Sequence, residues 1–357
     1  MTTKGESVGA AANSAHDPHP ANRKVGSPGV GSAGPWSPGT PPVLAKSPPW
    51  VVVINAASGR QAGEVLAGRI QERVSAAGCQ VSIRLVVHAD ELGAVAAKAA
   101  SQARELNGIL VAVGGDGTIN ALASAALAEG TAFSVVPGGT FNYFGRANGF
   151  PEAPDACIDA VLAGRLRPIQ AARVNGRPFL VNASFGLYPQ LLAEREEFKR
   201  RWGRSRPAAW LAALLTLLGS HRLHDLTLLT ASTSRRMRAS TVFVGNNRLQ
   251  LQHVGLPEAG AVESGCLIGL VLRPLGRLGL VRLALQGAMG KLADAEAVER
   301  MVFRRLEVAP GRWWRRRQVK VAIDGEQLNL MAPLVFDVCP APLWLVAPDE
   351  SGAESMP

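Results

Sequence analysis

The sequence predicts a doubly wound parallel α/β domain followed by a mostly antiparallel β-sandwich domain. From Trp50 onward, short apolar runs alternate strictly with amphipathic helical patterns, which is typical of a parallel sheet with helices on its faces. Two of the apolar runs end in glycine-rich turns, at residues 114–117 and 137–139. Beyond Ile169 the helical rhythm stops, and Asn175-Gly176 gives a hairpin signal between short apolar runs.

The α/β domain is predicted to cover residues 49–169. Its apolar runs predict strands, in chain order, at 50–54, 81–87, 109–113 and from Phe133. Between them, helices are predicted at 63–77, around 92–99 and from Thr118. Gly78 and Asn107-Gly108 end the first two helices, because these residues tolerate the left-handed backbone of a helix C-cap.

The β-rich domain is predicted to cover residues 170–331. Its alternating runs predict strands at 172–174, 178–185, 226–230, 237–245, 266–272, 302–308, 319–323 and 327–331, with two further strands at 334–338 and 343–346. The 278–292 segment predicts a helix between strands.

The chain ends differ in composition from the middle. Residues 1–48 are rich in Pro, Gly, Ser and Ala and cannot bury enough apolar surface to offset the entropy of ordering. We expect this tail, and residues 349–357, to be disordered. The four cysteines are scattered, which fits a reducing compartment and excludes a zinc site with CxxC spacing.

The charge of the chain bears on its partners. The formal net charge is +10, and basic runs that contain tryptophan lie at 199–204 and 312–317. Such runs suit an anionic membrane surface, although a merely solvated surface is the alternative. No apolar run reaches the ~18 residues of a spanning helix. The first residues lack the apolar core of a signal peptide, so we expect no export, and no nucleic-acid motif is found in the sequence. We expect a cytoplasmic protein that binds peripherally to the inner membrane face and has no nucleic-acid partners. The sequence leaves open whether the protein forms a homo-oligomer.

The turn at Gly114-Gly115-Asp116-Gly117 has the chemistry of a phosphate cradle. Its glycines let the backbone approach an anion, and the first N–H groups of the following helix point at that anion. Asp116 repels phosphate, so it either reaches a nucleotide through Mg²⁺ and water or holds the loop in shape. The second turn follows the next strand, so parallel pairing would bring both turns to one edge of the sheet. An ordinary strand–turn–helix is the alternative.

These motifs together resemble the catalytic domain of the diacylglycerol kinase family, which is related to sphingosine kinases and more distantly to NAD kinases. The strongest match is Gly114 to Thr118 followed by Pro137-x-Gly139-Thr140-x-Asn142-x-Phe144-x-Arg146. Shorter matches follow at 55–59, where Ala56 replaces the family's proline, and at 182–186, 245–247 and 324–326. The resemblance extends over roughly residues 50–347.

The resemblance implies an ATP-dependent, Mg²⁺-requiring kinase that phosphorylates a lipid hydroxyl of the diacylglycerol or sphingoid type. It implies that Glu326 accepts the proton of that hydroxyl, with Asp116 and Asp324 in supporting or metal-binding roles. It also implies that residues 332–348 return to the first domain. The nucleotide-binding residues that it implies are Asn55, Gly114, Gly115, Asp116, Gly117, Thr118, Ile119, Asn120, Gly139 and Thr140.

Some residues depart from the family pattern or allow another interpretation. Ser264 stands where the family has an aspartate of its structural Mg²⁺ site, which leaves that metal site in question. Tyr143 replaces another family aspartate. Asp324-Gly325-Glu326 is, without the resemblance, an ordinary hairpin turn. The alternatives are therefore an NAD-kinase-like phosphotransferase, or a lipid- or nucleotide-binding protein that has lost catalysis.

Overall fold

The computed structural model describes residues 39–56, 60–139, 142–186, 223–289, 291, 295–311 and 318–349. Most of the N-terminal tail, both basic runs and Thr140 lie outside these residues. The segment before Trp50 already contacts the first domain, since the N–H of Ala45 donates to the carbonyl of Asn107 (2.9 Å). Ordered contacts thus begin a few residues earlier than the predicted boundary at residue 49. No helix in the described ranges has the length and apolarity to cross a bilayer.

The first domain is built on a six-stranded sheet in the order β2-β1-β3-β4-β18-β5. Its strands are β1 (Trp50–Asn55), β2 (Val81–Val86), β3 (Ile109–Gly114), β4 (Ala132–Pro137), β5 (Arg165–Ile169) and β18 (Leu343–Ala347). The first four and β18 run parallel, and β5 is an antiparallel edge strand. The central strands are buried along their length, as expected when helices cover both faces. The predicted parallel α/β architecture is confirmed.

Helices connect these strands. They are α1 (Arg60–Ala76), α2 (Leu92–Glu105), α3 (Asp116–Glu129), α4 (Tyr143–Ala147) and α5 (Pro154–Leu162), with a short 3₁₀ turn at Ala89–Glu91. Helix α3 begins immediately after the first glycine turn and ends at Gly130, whose left-handed backbone (φ 66°) closes the last turn. Helices α1 and α5 pack together, as do α2 and α3. The sequence did not predict α4, α5 or β5.

The second domain is a sandwich of two six-stranded antiparallel sheets, in the orders β10-β9-β14-β17-β6-β7 and β13-β12-β11-β8-β15-β16. Its strands are β6 (Ala172–Val174), β7 (Arg177–Phe179), β8 (Asn182–Gly186), β9 (His224–Leu229), β10 (Ser234–Ala239), β11 (Thr241–Gly245), β12 (Leu267–Leu272), β13 (Val298–Phe303), β14 (Arg305–Pro310), β15 (Gln318–Ile323), β16 (Glu326–Met331) and β17 (Leu334–Val338). Helices α6 (Arg248–His253) and α7 (Arg277–Ala288) and a 3₁₀ segment (Pro257–Val262) complete it.

Three segments that the sequence predicts as single strands are each two strands in the structure. The breaks fall at residues 180–181, at Ser240 and at Arg304, and at each break the chain passes from one sheet to the other. Corner strands of this kind close the edges of a sandwich, whose core lies between the two inner faces. The prediction failed because a bend of one or two residues leaves the alternating pattern almost unchanged.

The end of the chain needs one more correction. The resemblance implied that residues 332–348 return to the first domain, but β17 pairs with β14 and β6 inside the sandwich. Only β18 returns, between β4 and β5. The two domains are therefore joined twice, by the β5–β6 connection and by the β17–β18 connection, which run side by side because β5 pairs with β18 and β6 pairs with β17. The predicted helix at 278–292 is α7, which ends at Ala288.

Candidate active site

The two glycine turns lie against each other at the carboxyl edge of the first sheet. Gly114 ends β3 and is paired in register with Pro137 at the end of β4. The N–H of Gly138 donates to the Gly114 carbonyl (2.8 Å). A Cβ atom on Gly139 would lie 2.8 Å from the Cα of Gly115. Glycine is needed here because the two backbones are in contact, with no room for a side chain.

Asn55 and Thr118 hold the first turn in shape. The side-chain amide of Asn55, at the end of β1, donates to Thr118 Oγ1 (2.9 Å). Thr118 is 4% exposed, and a Cβ on Gly114 would lie 2.8 Å from its hydroxyl oxygen. Neighbouring strands thereby fix the curvature of the glycine loop. Both residues belong to the predicted nucleotide set, and both contribute by shaping the backbone.

Asp116, the first residue of α3, links the two turns. The backbone N–H groups of residues 142–144, where α4 begins, face its carboxylate and lower its pKa, but burial has the larger effect and raises that pKa above the ordinary value. Its Oδ1 atom is buried and has no hydrogen-bond partner among the described residues. One part of the carboxylate thus joins the second turn, and one buried oxygen stays uncommitted.

A magnesium ion fits this uncommitted oxygen if the nucleotide supplies the remaining ligands. Mg²⁺ is commonly held by one or two carboxylates together with substrate phosphates and water, without a full protein cage. The described residues contain no group of three or more His, Cys, Asp or Glu side chains placed to hold a metal. Asp116 is accordingly the residue that would contact a nucleotide-bound cation. Whether the family's structural Mg²⁺ site survives with Ser264 in place of its aspartate is left as the question that the sequence raised.

Glu326 reaches the first turn from the other domain. It is the first residue of β16, and the two residues before it, Asp324 (φ 45°) and Gly325 (φ 89°), form the left-handed two-residue turn of a tight hairpin. The side chain is exposed. Its Oε1 lies 2.5 Å from the position that a Cβ on Gly117 would occupy. The acid from the β-rich domain therefore contacts the residue that follows Asp116.

Asp324 has a different environment, although only Gly325 separates it from Glu326. Its carboxylate accepts the N–H groups of Leu180 (2.8 Å), Val181 (2.9 Å) and Asn182 (2.9 Å). It also accepts the side-chain amide of Asn120 on α3 (2.6 Å). Burial raises its pKa in spite of these four bonds, which lower it. We name this group of contacts the Asp324 latch, because it ties the hairpin to the first corner of the sandwich and to the α/β domain.

The latch changes the interpretation of two predicted nucleotide ligands. The Asn120 amide is engaged by Asp324 and also donates to the Pro178 carbonyl (3.3 Å), so it faces the second domain. The Ile119 side chain is fully buried in the core of the first domain. The N–H of Ile119 is also engaged, since it donates to the Gly115 carbonyl (3.0 Å). The structure brings together the glycines, Asp116 and Glu326, and it assigns the Asn120 and Asp324 side chains to the domain interface.

Asn142 shapes the second glycine turn, although the sequence analysis includes it only in the second motif and not among the predicted site residues. Its side-chain oxygen accepts the N–H of Gly139 (2.9 Å), and its own backbone is left-handed (φ 46°). These contacts set the shape of the second turn and aim the 142–144 N–H groups at Asp116. An Asn shortly after a Gly-Gly pair was the available signal, since Asn favours such turns. The backbone donors at residues 180–182 carry no sequence signal.

The comparisons with known proteins agree on one family. The family model described as "Diacylglycerol kinase catalytic domain" matches residues 49–174. A diacylglycerol kinase of Bacillus subtilis is 34% identical over 145 residues, which cover 39% of this chain and 46% of that protein. A Pseudomonas aeruginosa protein named "Probable lipid kinase YegS-like" is 31% identical over 245 residues, 67% of this chain and 76% of that protein. A crystal structure of a diacylglycerol kinase from Bacillus anthracis superposes with a TM-score of 0.60 at 15% identity, covering 85% of this chain and 97% of that one, which is similarity of fold.

Proposed function

Because this chain belongs to the diacylglycerol kinase family, we propose that it is an ATP-dependent lipid kinase that transfers the γ-phosphate to a lipid hydroxyl. The observation that carries the proposal is the contact between the Glu326 carboxylate and Gly117 of the glycine turn. A phosphate cradle and an acid from the facing domain are the two parts that phosphoryl transfer to an alcohol requires.

The proposed reaction divides the work between the domains. N–H groups of the two glycine turns bind the phosphates of the nucleotide, as backbone donors at a helix start do elsewhere. The uncommitted oxygen of Asp116 would contact a nucleotide-bound Mg²⁺. That ion would neutralise charge on the phosphates when bound. These groups hold the γ-phosphorus in position for in-line attack and contribute through orientation and electrostatics.

Glu326 acts on the acceptor. As the lipid hydroxyl oxygen bonds to the γ-phosphorus, the bond from that phosphorus to the bridging oxygen of ADP breaks, and the hydroxyl proton passes to the Glu326 carboxylate. The exposed position of the side chain at the mouth of the crevice leaves it accessible to a bulky acceptor. Asp324 does not contact the reacting atoms in this scheme, since its four hydrogen bonds hold the hairpin from which Glu326 projects.

The acceptor and the location belong to the same proposal. A diacylglycerol-type or sphingoid-type lipid would enter from the β-rich domain while the protein is bound to an anionic membrane surface on the cytoplasmic side. The support for membrane attraction is the net charge of +10. This charge acts through partly screened electrostatics, so we expect attachment to be peripheral and to weaken with salt.

A direct assay tests the proposal. The purified protein is incubated with γ-labelled ATP, Mg²⁺ and a total lipid extract, and any labelled product is identified by mass spectrometry. A parallel reaction with NAD as the acceptor examines the NAD-kinase alternative. Label in a lipid, lost in Glu326→Gln, supports the proposed reaction. Nucleotide binding without transfer to any acceptor supports the catalytically degenerate alternative and overturns the proposal.

A further inference from the structure

A cavity lies between the domains, and its described lining does not include the residues of the glycine turns at 114–117 and 137–139. It has a volume of about 510 Å³. Helix α4 and strand β5 line it from the first domain, and helix α6 and residues 262–263, which precede β12, line it from the second. This volume is in the range of small-ligand sites. The cavity shares Phe144 and Leu180 with the walls of the active site, because their N–H groups face Asp116 and Asp324, respectively.

The charge of the lining is positive. Three arginines line it, Arg146, Arg167 and Arg248, against one acid, Glu263. Glu263 forms an ion pair with Arg248, so these two charges compensate each other. Arg146 makes no hydrogen bond or ion pair with any residue in the described ranges, and it is exposed at the cavity. Arg146 therefore brings to the cavity a positive charge that no acid among the described residues compensates, and Arg167 adds a second guanidinium group to the lining.

The remaining polar lining is made of amides. Arg167 is oriented by Asn148, which accepts from its Nη2 through the side-chain oxygen (3.2 Å). Gln170 donates to Asn246 Oδ1 (2.7 Å), and its own Oε1 is buried without a hydrogen-bond partner among the described residues. No His, Cys or Asp lines this cavity, so its chemistry does not suit a metal ion. An oriented guanidinium, a second one nearby and a buried acceptor suit an anion that carries a hydroxyl.

We infer that this cavity binds a phosphate ester, with Arg146 and Arg167 on the phosphate oxygens. Guanidinium groups bind phosphate through two parallel N–H···O bonds, which an ammonium group cannot do. The Gln170 oxygen accepts from a hydroxyl of the ligand. The ester has two sources with the same chemistry, a soluble phosphate and a lipid headgroup. The site is separate from the proposed nucleotide cradle, and binding to it does not depend on phosphoryl transfer.

The test measures binding without nucleotide, so its result is independent of the kinase assay. The full chain is titrated with inorganic phosphate by calorimetry, and it is co-sedimented with phosphatidylcholine vesicles with and without phosphatidic acid, at about 0.15 M salt to screen surface charge. The variants are Arg146→Gln, Arg146→Lys and Arg167→Gln. The matched control is Arg104→Gln, which removes one positive charge from an exposed side chain on α2 outside the cavity.

We expect Arg146→Gln and Arg167→Gln each to weaken binding roughly tenfold, with Arg146→Lys intermediate and Arg104→Gln close to the parent. If the Arg146 and Arg167 variants lose affinity for inorganic phosphate, the ligand is a soluble phosphate ester. If they lose affinity only for vesicles with phosphatidic acid, the ligand is a lipid headgroup. Either result supports the site. Equal weakening by the Arg104 control would overturn it in favour of diffuse surface attraction. Absence of binding to both probes by a parent protein with a normal melting curve would also overturn it.

Discussion

Asp324 and Glu326 stand in one hairpin, separated by one glycine, and have opposite environments. Asp324 is enclosed by four hydrogen bonds that join both domains, whereas Glu326 is exposed and touches Gly117. Asp324 is itself in the left-handed turn, whereas Glu326 is the first residue of β16 after that turn. The comparison teaches that one carboxylate is suited to holding structure and the other to proton transfer.

The largest expected effect is on turnover. Glu326→Gln keeps the size of the side chain but removes the base, so kcat should fall by about 10²- to 10⁴-fold. The free energy of unfolding should change little, because the side chain is exposed. Steady-state kinetics with a lipid acceptor and denaturant unfolding measure the two quantities. A variant with full kcat would show that Glu326 is not the base.

The complementary change concerns the latch. Asp324→Ala removes the acceptor of three backbone N–H groups and of the Asn120 amide. Leaving these donors buried should lower the free energy of unfolding by about 3 kcal/mol. Urea unfolding measures the loss, and Asn120→Ala, which removes the amide that donates to Asp324 and to the Pro178 carbonyl but leaves the three backbone N–H groups bonded to Asp324, should cost less. If Asp324→Ala were as stable as the parent, the contrast between the two carboxylates would not hold.

A smaller effect is expected from the contact that Glu326 makes. A Cβ on Gly117 would lie 2.5 Å from Glu326 Oε1, so Gly117→Ala should displace the carboxylate and lower kcat by about tenfold, the cost of slight misplacement. Stability should change by less than about 1 kcal/mol, because alanine is favourable in a helix and the end of the Glu326 side chain can move. The double variant Gly117→Ala/Glu326→Asp, with the shorter acid, should recover part of the loss.

The smallest effect is in the pH dependence of stability. Burial raises the pKa of Asp116 above the ordinary value of 3.8, so the folded state holds this proton more tightly than the unfolded state. The protonated Asp116 carboxyl therefore stabilises the folded state below its pKa in the unfolded chain, and this contribution is lost as the pH rises through its higher pKa in the folded protein. Asp116→Asn removes that loss. As the pH rises from the ordinary value of 3.8 through the higher folded-state pKa, the free energy of unfolding of the variant, relative to the parent, should therefore increase.

Chemical denaturation at several pH values measures this difference directly. Asp337→Asn is a useful comparison, because that carboxylate belongs to β17 of the sandwich, where it is engaged by Arg173 and Arg305, and not to either glycine turn. A pH-independent difference between the parent and Asp116→Asn would contradict the raised pKa of Asp116.

Much of the site was predictable because its main parts are local. The apolar run of β3 and the glycines after it carry their own signal, and the next strand repeats it. Adjacent pairing of β3 and β4 then brings the two turns together, as the sequence predicts. Glu326 was reached only through the family resemblance, since Asp-Gly-Glu alone indicates a hairpin turn. The same resemblance was wrong for the β17 segment, which pairs inside the sandwich. For Asn120 nucleotide binding stays a prediction, and the structure adds that its side chain is engaged by Asp324, because a motif does not specify which domain a side chain faces.

The local sequence was enough to predict the alternating strands and helices from β1 to β4, the two glycine turns and the hairpin that carries Glu326. Each of these features depends on residues that are close in sequence. Strands and helices follow from the spacing of apolar side chains, and turns follow from the backbone conformations that Gly and Asn can adopt. Only the tertiary structure decided where strands cross between the sheets, which strand returns to the first domain and what Asp324 contacts. Asn120 and Asp324 are 204 residues apart along the chain, and their hydrogen bond exists only after both domains have folded and packed against each other.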